Sequence, residues 1–419
     1  MGARWQSYAE RWKAHTAGVP FTGSFLRPMV PEALAIHRRT FLGVGTNIAA
    51  YAPLHTYQAA RRSLLNLGDR RVALVSPESF ERFAERTGVP ESTQRRRLTW
   101  LAHRGVPVRA AFRQGLLRDG VGARWYEFVW DGEEGWNAAA GAPGAKAQLR
   151  LLGDKQRSAE LLAQAGVAGV PGESMGPLGT EASAGRVDVV LRRMLERWGC
   201  LHAKRRFGSR GEGACEIRLD DSGRLALRRY QHEADECEPL TWFTSQVRDH
   251  EYLLQPRLRS HPDFAAVSSS TDVVTVRLVT RIPDVRRGGR TPQVFSAVLE
   301  VPLPPAAEDQ RYRMMRLDEA GRVVDRSLPY WLGPPAGVFA QGVDDLLGLQ
   351  VPRWSELVNW CLAAHRVFDH VFAVAWDLAI TERGPVMLEG NGGFGTDDPQ
   401  WIGGGLLAGL GPSAPRGLE

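Results

Sequence analysis

Cysteine is scarce in this 419-residue chain: Cys200, Cys215, Cys237 and Cys361 are the four that occur, and none belongs to a CxxC pair. That spacing excludes a dense disulfide framework and a zinc-ribbon site, and it fits unpaired thiols in a reducing compartment. Long apolar runs are missing too. None approaches the roughly 18 residues that a membrane-spanning helix needs, so no integral membrane contact is expected. The opening residues carry no signal-peptide pattern, and a cytoplasmic location is the expectation. GxxxxGK[ST] occurs nowhere, which excludes a Walker loop. His365 and His370 lack HExxH spacing, so they read as helix-surface or core residues, and no Ser-His-Asp or Cys-His arrangement is evident.

What is present is ordinary for a soluble globular protein: 43% hydrophobic and 24% charged residues, with room for two or three domains. Net charge is +6. Arginines cluster at Arg95 to Arg97, at Arg205 with Arg206, and at Arg286 with Arg287. No nucleic-acid motif accompanies them, so they read as solvated faces, and no nucleic-acid partner is expected. A polyanion-binding protein that uses these clusters is one alternative reading.

Residues 1–148 read as an N-terminal α/β accessory domain. RRVALVSPE and VPVRAAF have the apolar runs of buried strands, while SFERFAERTGV and ESTQRRRLTWLAHRG have helical patterns. Alternating strands and helices imply a mostly parallel sheet. Gly43, Gly45 and Asn47 make a GxG without a properly placed third glycine, which turn glycines explain. GWNAAAGAPGAKA, at 135–147, reads as a linker.

A second region, 149–254, opens on LLGDKQRSAELLAQAG. Asp154 is placed to cap a helix that Lys155 begins. GCLHAKRRFGSRGEGACEIRL then gives a strand through Lys204, a turn at Gly208, Gly211 and Gly213, and a return strand. Glycines let backbone N–H groups come close to phosphate oxygens, and the strand lysine supplies a point charge. PLTWFTSQVRD reads as a helix and EYLLQPRL as a strand.

In the third region, 255–419, TDVVTVRLVTRI alternates, so Thr275 and Arg277 share a face. A buried arginine there calls for an anion, either a ligand phosphate or a carboxylate of the protein. SELVNWCLAAHRVFDH is an amphipathic helix. It leads into VFAVAWDLAITERGPVMLEGN, which reads as a β-hairpin. A three-residue loop of Glu382, Arg383 and Gly384 would pair Thr381 with Pro385 and Ile380 with Val386, placing Asp377 opposite Glu389 with Asn391 further along the same face. Two opposed carboxylates repel, so the arrangement requires that one is protonated, that a cation lies between them, or that the register differs. An all-oxygen set suits Mg²⁺ or Mn²⁺.

The order of these features is informative: Gly-Asp-Lys, Lys before a glycine hairpin, Tyr-Leu-Leu-Gln, Thr-x-Arg, then Asp and Glu-x-Asn. It resembles the ATP-grasp enzymes, and most of all the sugar-transfer-associated ATP-grasp family, over about residues 150–400 with stretches such as TVRLVT, WDLAIT and EGN. The resemblance implies an α+β ATP-grasp fold that holds a nucleotide between a central and a C-terminal subdomain. It implies that Lys155, Lys204, Gly208, Gly211 and Gly213 meet ATP phosphates, that Gln255, Leu258 and Asp263 meet adenine and ribose, and that Arg277 steadies the γ-phosphate. It also implies Asp377, Glu389 and Asn391 as Mg²⁺ ligands. Arg205 stands where a proline commonly follows the phosphate lysine, and Gln255 replaces a frequent acid. The implied activity is a carboxylate-amine ligase acting through an acyl phosphate in polysaccharide or secondary-metabolite assembly. An ATP-grasp kinase acting on a hydroxyl is the other enzymatic alternative.

Overall fold

A computed structural model of the protein describes residues 75–406, without 104–105, 107, 129–136, 138–139, 209–210, 230–238, 267, 269–271, 284, 286–287, 303–311, 327–345 and 396. The GxG at Gly43 and Gly45 with Asn47, the first part of the strand expected at 70–78, Cys237, the Arg286–Arg287 pair and the tail beyond 406 lie outside the described residues.

Three helices come first: α1 (Pro77–Thr87), α2 (Glu91–His103) and α3 (Val108–Arg113). Pro77 suits the first turn of α1, where a missing N–H costs nothing, and Gly88 ends the helix at φ 71°. VPVRAAF was expected to be a strand, but it forms α3. Its apolar residues pack at helical spacing, and the Phe112 ring meets the edges of Phe80 and Phe83 at 5.5 and 5.6 Å. Tertiary packing outweighs the β-branched valines. Among the described residues no strand precedes Glu173, so the expected parallel sheet is not found there.

Within the expected linker at 135–147, Asn137, Ala140, Gly141, Ala142 and Ala145 are buried, while 143–144 and 146–147 are exposed. Asn137 is fully buried, and its Oδ1 accepts from the Phe372 and Ala373 N–H groups, both at 3.0 Å. Its Nδ2 donates to the Ala373 and Gly392 carbonyls. The small residues serve close approach rather than flexibility: a Cβ on Gly141 would stand 2.7 Å from the His370 carbonyl.

After α4 (Ala145–Gly153) and α5 (Lys155–Gln164) come β1 (Glu173–Met175), α6 (Ala184–Trp198), β2 (Cys200–Arg205), β3 (Cys215–Leu219), β4 (Leu225–Arg229), α7 (Leu240–Asp249) and β5 (Tyr252–Pro256). The strands form one antiparallel sheet in the order β1-β5-β2-β3-β4. Alternation decides its faces. Leu201, Ala203, Tyr252, Leu254, Cys215 and Ile217 pack on the apolar stripes of α6 and α7. His202, Lys204 and Gln255 therefore point the other way.

α8 (Pro262–Ala265), β6 (Thr275–Arg281), β7 (Gln293–Pro302), β8 (Tyr312–Leu317), β9 (Val323–Arg326), α9 (Trp354–Val367), β10 (Ala373–Thr381), β11 (Gly384–Asn391) and α10 (Asp397–Gly403) complete the described chain. Their strands form a second antiparallel sheet, ordered β11-β10-β6-β7-β8-β9. Val276, Leu278, Val374, Trp376 and Leu378 pack on α9. Period-two alternation then sends Thr275, Arg277 and Asp377 to the opposite face.

Candidate active site

The β10–β11 hairpin places Asp377 opposite Glu389, although by a route the sequence did not suggest. The loop has two residues, Glu382 and Arg383, so Thr381 pairs with Gly384 and Ile380 with Pro385. The three-residue loop expected from the sequence does not form. Its alternative is fixed by Thr381, whose Oγ1 donates to the Gly384 carbonyl at 2.7 Å and accepts from the Arg383 N–H at 3.2 Å. Leu378 pairs with Met387, whereas Asp377 pairs with Glu389, leaving Leu388 as the extra residue of a bulge. The bulge restores the register that the shorter turn had displaced.

Backbone packing fixes the height of these side chains. Trp376, fully buried on the α9 side, donates its indole N–H to Thr280 Oγ1 at 2.8 Å. Thr280 Oγ1 also meets His365 Nδ1 at 2.7 Å, and His365 Nε2 meets the Val371 carbonyl at 3.1 Å. With the indole already donating to it, the hydroxyl gives its proton to Nδ1, which makes His365 the neutral tautomer with its proton on Nε2. Burial holds its pKa down to about 4, against a smaller pull from the Val371 carbonyl. Gly390 lies between the two candidate ligands of β11 because Trp376 fills the space beside it: a Cβ there would be 2.5 Å from the indole.

On the cleft face, Arg277 is the cation that joins the strands. Its Nε and Nη2 donate to the two oxygens of Asp377 at 2.8 and 2.9 Å, and its Nη1 lies 3.3 Å from Glu300 Oε1. The two carboxylates hold its pKa well above the ordinary arginine range despite burial. Glu300, on β7, accepts from Thr275 Oγ1 at 2.9 Å. Burial pushes the Glu300 carboxyl up, with Arg277 pulling the other way. Asn391 Nδ2 donates to Asp377 Oδ2 at 2.9 Å and lies 3.5 Å from Glu389 Oε1. Turning this amide over would present its oxygen to the same point.

Two lysines approach Glu389 from the other elements. Lys155 Nζ is 3.5 Å from Glu389 Oε2 and donates to the Gly208 carbonyl at 2.6 Å. Lys204, half-buried on β2, is drawn down by burial, against the attraction of Glu389. Burial opposes ionisation of Glu389, yet Lys204, Lys155, the Asn391 amide and Arg277 together hold its carboxyl below the usual range.

Lys155 is placed by the start of α5. Asp154 caps the helix by accepting from the Arg157 N–H at 3.1 Å. Arg206, just past Lys204, donates to both Asp154 oxygens at 2.7 and 2.6 Å and to both Glu251 oxygens at 3.0 Å. Its hydrogen bonds hold the Asp154 carboxyl below its ordinary range. The glycine turn that follows uses positive φ at Gly211 and Gly213, 69° and 70°, which only glycine adopts without strain.

The remaining expected residues are distributed unevenly. Gln255, buried on β5 opposite His202, donates to the Val170 carbonyl at 3.3 Å, and Leu258 is half-buried on the stretch after that strand. Asp263 is not brought to the charged strip. It is exposed on α8, 3.6 Å from His261, beside Ser260, which bridges to Thr381 at the far end of β10. Glu300, Arg206 and Glu251 were missed as participants, whereas Asp154 caps α5 and Thr275 shares the face of Arg277 as expected. A lone glutamate inside FSAVLEVP was the available signal for Glu300, since a charge in a buried strand needs a partner.

Fit to a divalent cation is decided by the donor set. Among the described residues, no group of three or more His, Cys, Asp and Glu side chains is placed to hold a metal ion. Asp377 and Glu389 with the Asn391 amide are two carboxylates and a neutral oxygen, which fits Mg²⁺, a cation that keeps waters and takes phosphate oxygens. Arg95 and Arg97 pair with Glu91 and Asp119 on a solvated face, as expected; Arg205 and Arg206, only 17% and 23% exposed, pair with Glu212 and Asp154 and do not form the solvated face expected of them. No described helix is long and apolar enough to cross a membrane.

The chain matches the family described as sugar-transfer associated ATP-grasp over residues 146–408. Among solved structures it is similar to the ATP-grasp ligase PsnB complexed with minimal precursor, at 14% identity over 64% of this chain and 61% of that one, TM-score 0.35. It is also similar to the D-cycloserine synthetase DcsG, at 15% identity over 62% and 68%, TM-score 0.35. A third is D-alanyl-alanine synthetase A from Vibrio cholerae, at 10% identity over 63% and 59%, TM-score 0.35. The chain thus spans about three fifths of the length of PsnB. No curated protein matches it.

Proposed function

Because the chain belongs to the sugar-transfer-associated ATP-grasp family, we propose that it is an ATP-dependent ligase that joins a carboxylate to an amine through an acyl phosphate. One observation carries this reading: Lys155, Lys204, Glu389, Asp377 and Arg277 form one charged cluster drawn from both antiparallel sheets and the start of α5. A triphosphate is the kind of ligand that calls for several cations and a divalent metal in one place.

Asp377, Glu389 and Asn391 would hold Mg²⁺, or Mn²⁺, which when bound offsets phosphate charge. Lys155 and Lys204 neutralise phosphate oxygens from opposite walls, and the N–H groups of the turn at Gly208, Gly211 and Gly213 close over them. Gln255 and Leu258 line the base end. Arg277 orients and stabilises the transferring phosphoryl group with the guanidinium surface that Asp377 and Glu300 leave free. A substrate carboxylate oxygen attacks the γ-phosphorus and ADP departs. An amine then attacks the acyl carbon, loses a proton, and inorganic phosphate leaves with one of the original carboxylate oxygens. Polysaccharide or secondary-metabolite assembly is the setting we assign to this chemistry.

The test begins with ADP release screened against pools of carboxylates and amines. For the active pair, ¹⁸O in the carboxylate should appear in inorganic phosphate, one atom for each amide formed. Phosphorylation of a hydroxyl without any amine, with label absent from phosphate, would replace the ligase by a kinase.

A further inference from the structure

Glu300 is a buried acid outside the set of residues that would touch ATP or metal, and its surroundings give it a task. Arg277 is shared: Asp377 takes Nε and Nη2, while Glu300 takes Nη1 at 3.3 Å. Glu300 is held in turn by Thr275 Oγ1 at 2.9 Å, and Thr275 is its direct partner across β6 and β7. Arg277 keeps 28% of its side chain exposed toward the cleft, whereas Glu300 keeps 7%, so the glutamate lies beneath the guanidinium.

The charges in this strip balance. Asp377, Glu389 and Glu300 face Arg277, Lys155 and Lys204, three of each sign. A divalent cation at Asp377 draws on the same carboxylate that neutralises Arg277. The guanidinium would then sit beside a metal of like sign with its main partner engaged. A second carboxylate on the far side of Arg277 removes that conflict.

We propose that Glu300 is a positioning residue that keeps Arg277 charge-paired and in place when Asp377 is taken up by a metal ion. This inference rests on the metal assignment above. It differs from a purely structural role, because an isosteric amide can keep both contacts: its oxygen accepts from Arg277 Nη1, and its NH₂ donates to Thr275 Oγ1, the reverse of the bond Thr275 makes to the carboxylate. Only the charge would be lost.

The experiment is Mn²⁺ binding followed by electron paramagnetic resonance on the full chain without nucleotide, together with Mg²⁺·ATP turnover. Glu300→Gln should weaken Mn²⁺ binding at least tenfold and raise the KM for Mg²⁺·ATP more than it lowers kcat, with little change in Tm. Thr275→Val, which keeps the charge, should stay within threefold of the parent in Mn²⁺ affinity. Should Glu300→Gln fail to fold, Arg277→Met carries the test: with the cation removed, Mn²⁺ should bind at least as tightly as in the parent. Parental Mn²⁺ affinity in Glu300→Gln, or weakened affinity in Arg277→Met, overturns the positioning role alone. A parent chain that binds no Mn²⁺ overturns the metal assignment and this inference with it.

Discussion

Arg206 grips both oxygens of Asp154, at 2.7 and 2.6 Å, and so ties the strand carrying Lys204 to the helix that begins at Lys155. The same guanidinium reaches Glu251, and its backbone carbonyl lies 3.4 Å from the Lys155 N–H. The two lysines proposed to meet phosphate, on separate elements, are thereby held at a fixed spacing. Arg206→Ala should leave Asp154 and Glu251 without their cation and loosen that spacing. We expect a loss of about 1–3 kcal/mol in stability, because the pair is only partly buried. Nucleotide affinity should fall tenfold or more. Urea unfolding and calorimetric titration with Mg²⁺·ADP check both; Arg206→Lys should recover little, since it cannot serve two carboxylates bidentately.

Gly390→Ala tests how packing sets the ligand face. Its Cβ would meet Trp376 at 2.5 Å and Leu152 at 2.7 Å. Neither neighbour is free to withdraw, since both are core residues. Overpacking of this kind costs about 1–3 kcal/mol. Because Glu389 and Asn391 flank the glycine, Mg²⁺ dependence of turnover should shift as well. Thermal melts and a Mg²⁺ titration of turnover would show it, while Gly392→Ala provides a comparison farther from Trp376.

His365 gives the protein an acid-side weakness. Its folded pKa of about 4 lies below the ordinary value of 6.5. The unfolded chain therefore binds more protons between these values, and stability falls as pH drops from about 6.5 to 4. The full loss is roughly 3 kcal/mol at the lower limit, at about 1.4 kcal/mol per unit. Urea midpoints measured at pH 7 and pH 4.5 should differ more in the parent than in His365→Gln, in which nothing titrates at that position. Equal pH dependence in both proteins would remove His365 as the cause.

Much of the site could be read from local patterns, and what was missed depends on contacts distant in sequence. Alternation along β10 and β11 put Asp377 and Glu389 on one face, but their direct pairing was expected from a loop that does not form and is restored by a bulge. The turn was not legible, because Thr381 closes it with its own hydroxyl, and the bulge at Leu388 then offsets the one-residue difference. Glu300 lies in a strand paired with β6, and its role appears only once Arg277 has been placed between β7 and β10. Arg206 looked like half of a surface pair until Asp154, far back in the chain, came beside it. VPVRAAF carried two valines that favour a strand, yet Phe112 was claimed by Phe80 and Phe83, and a helix is what brings it there.

We assign the opposed acids of the β10–β11 hairpin, with the lysines beside them, to a Mg²⁺-nucleotide site. Calorimetric titration of the parent, Glu389→Gln, Asp377→Asn and Glu382→Gln with a non-hydrolysable ATP analogue, with and without Mg²⁺, tests this assignment most directly. Glu382 is exposed at the tip of the same hairpin and serves as the internal control. Mg²⁺-dependent binding is expected in the parent and in Glu382→Gln, weakened at least tenfold in the other two variants, all four proteins remaining folded. Binding of equal strength in all four, or no Mg²⁺-dependent binding in the parent, would contradict the assignment.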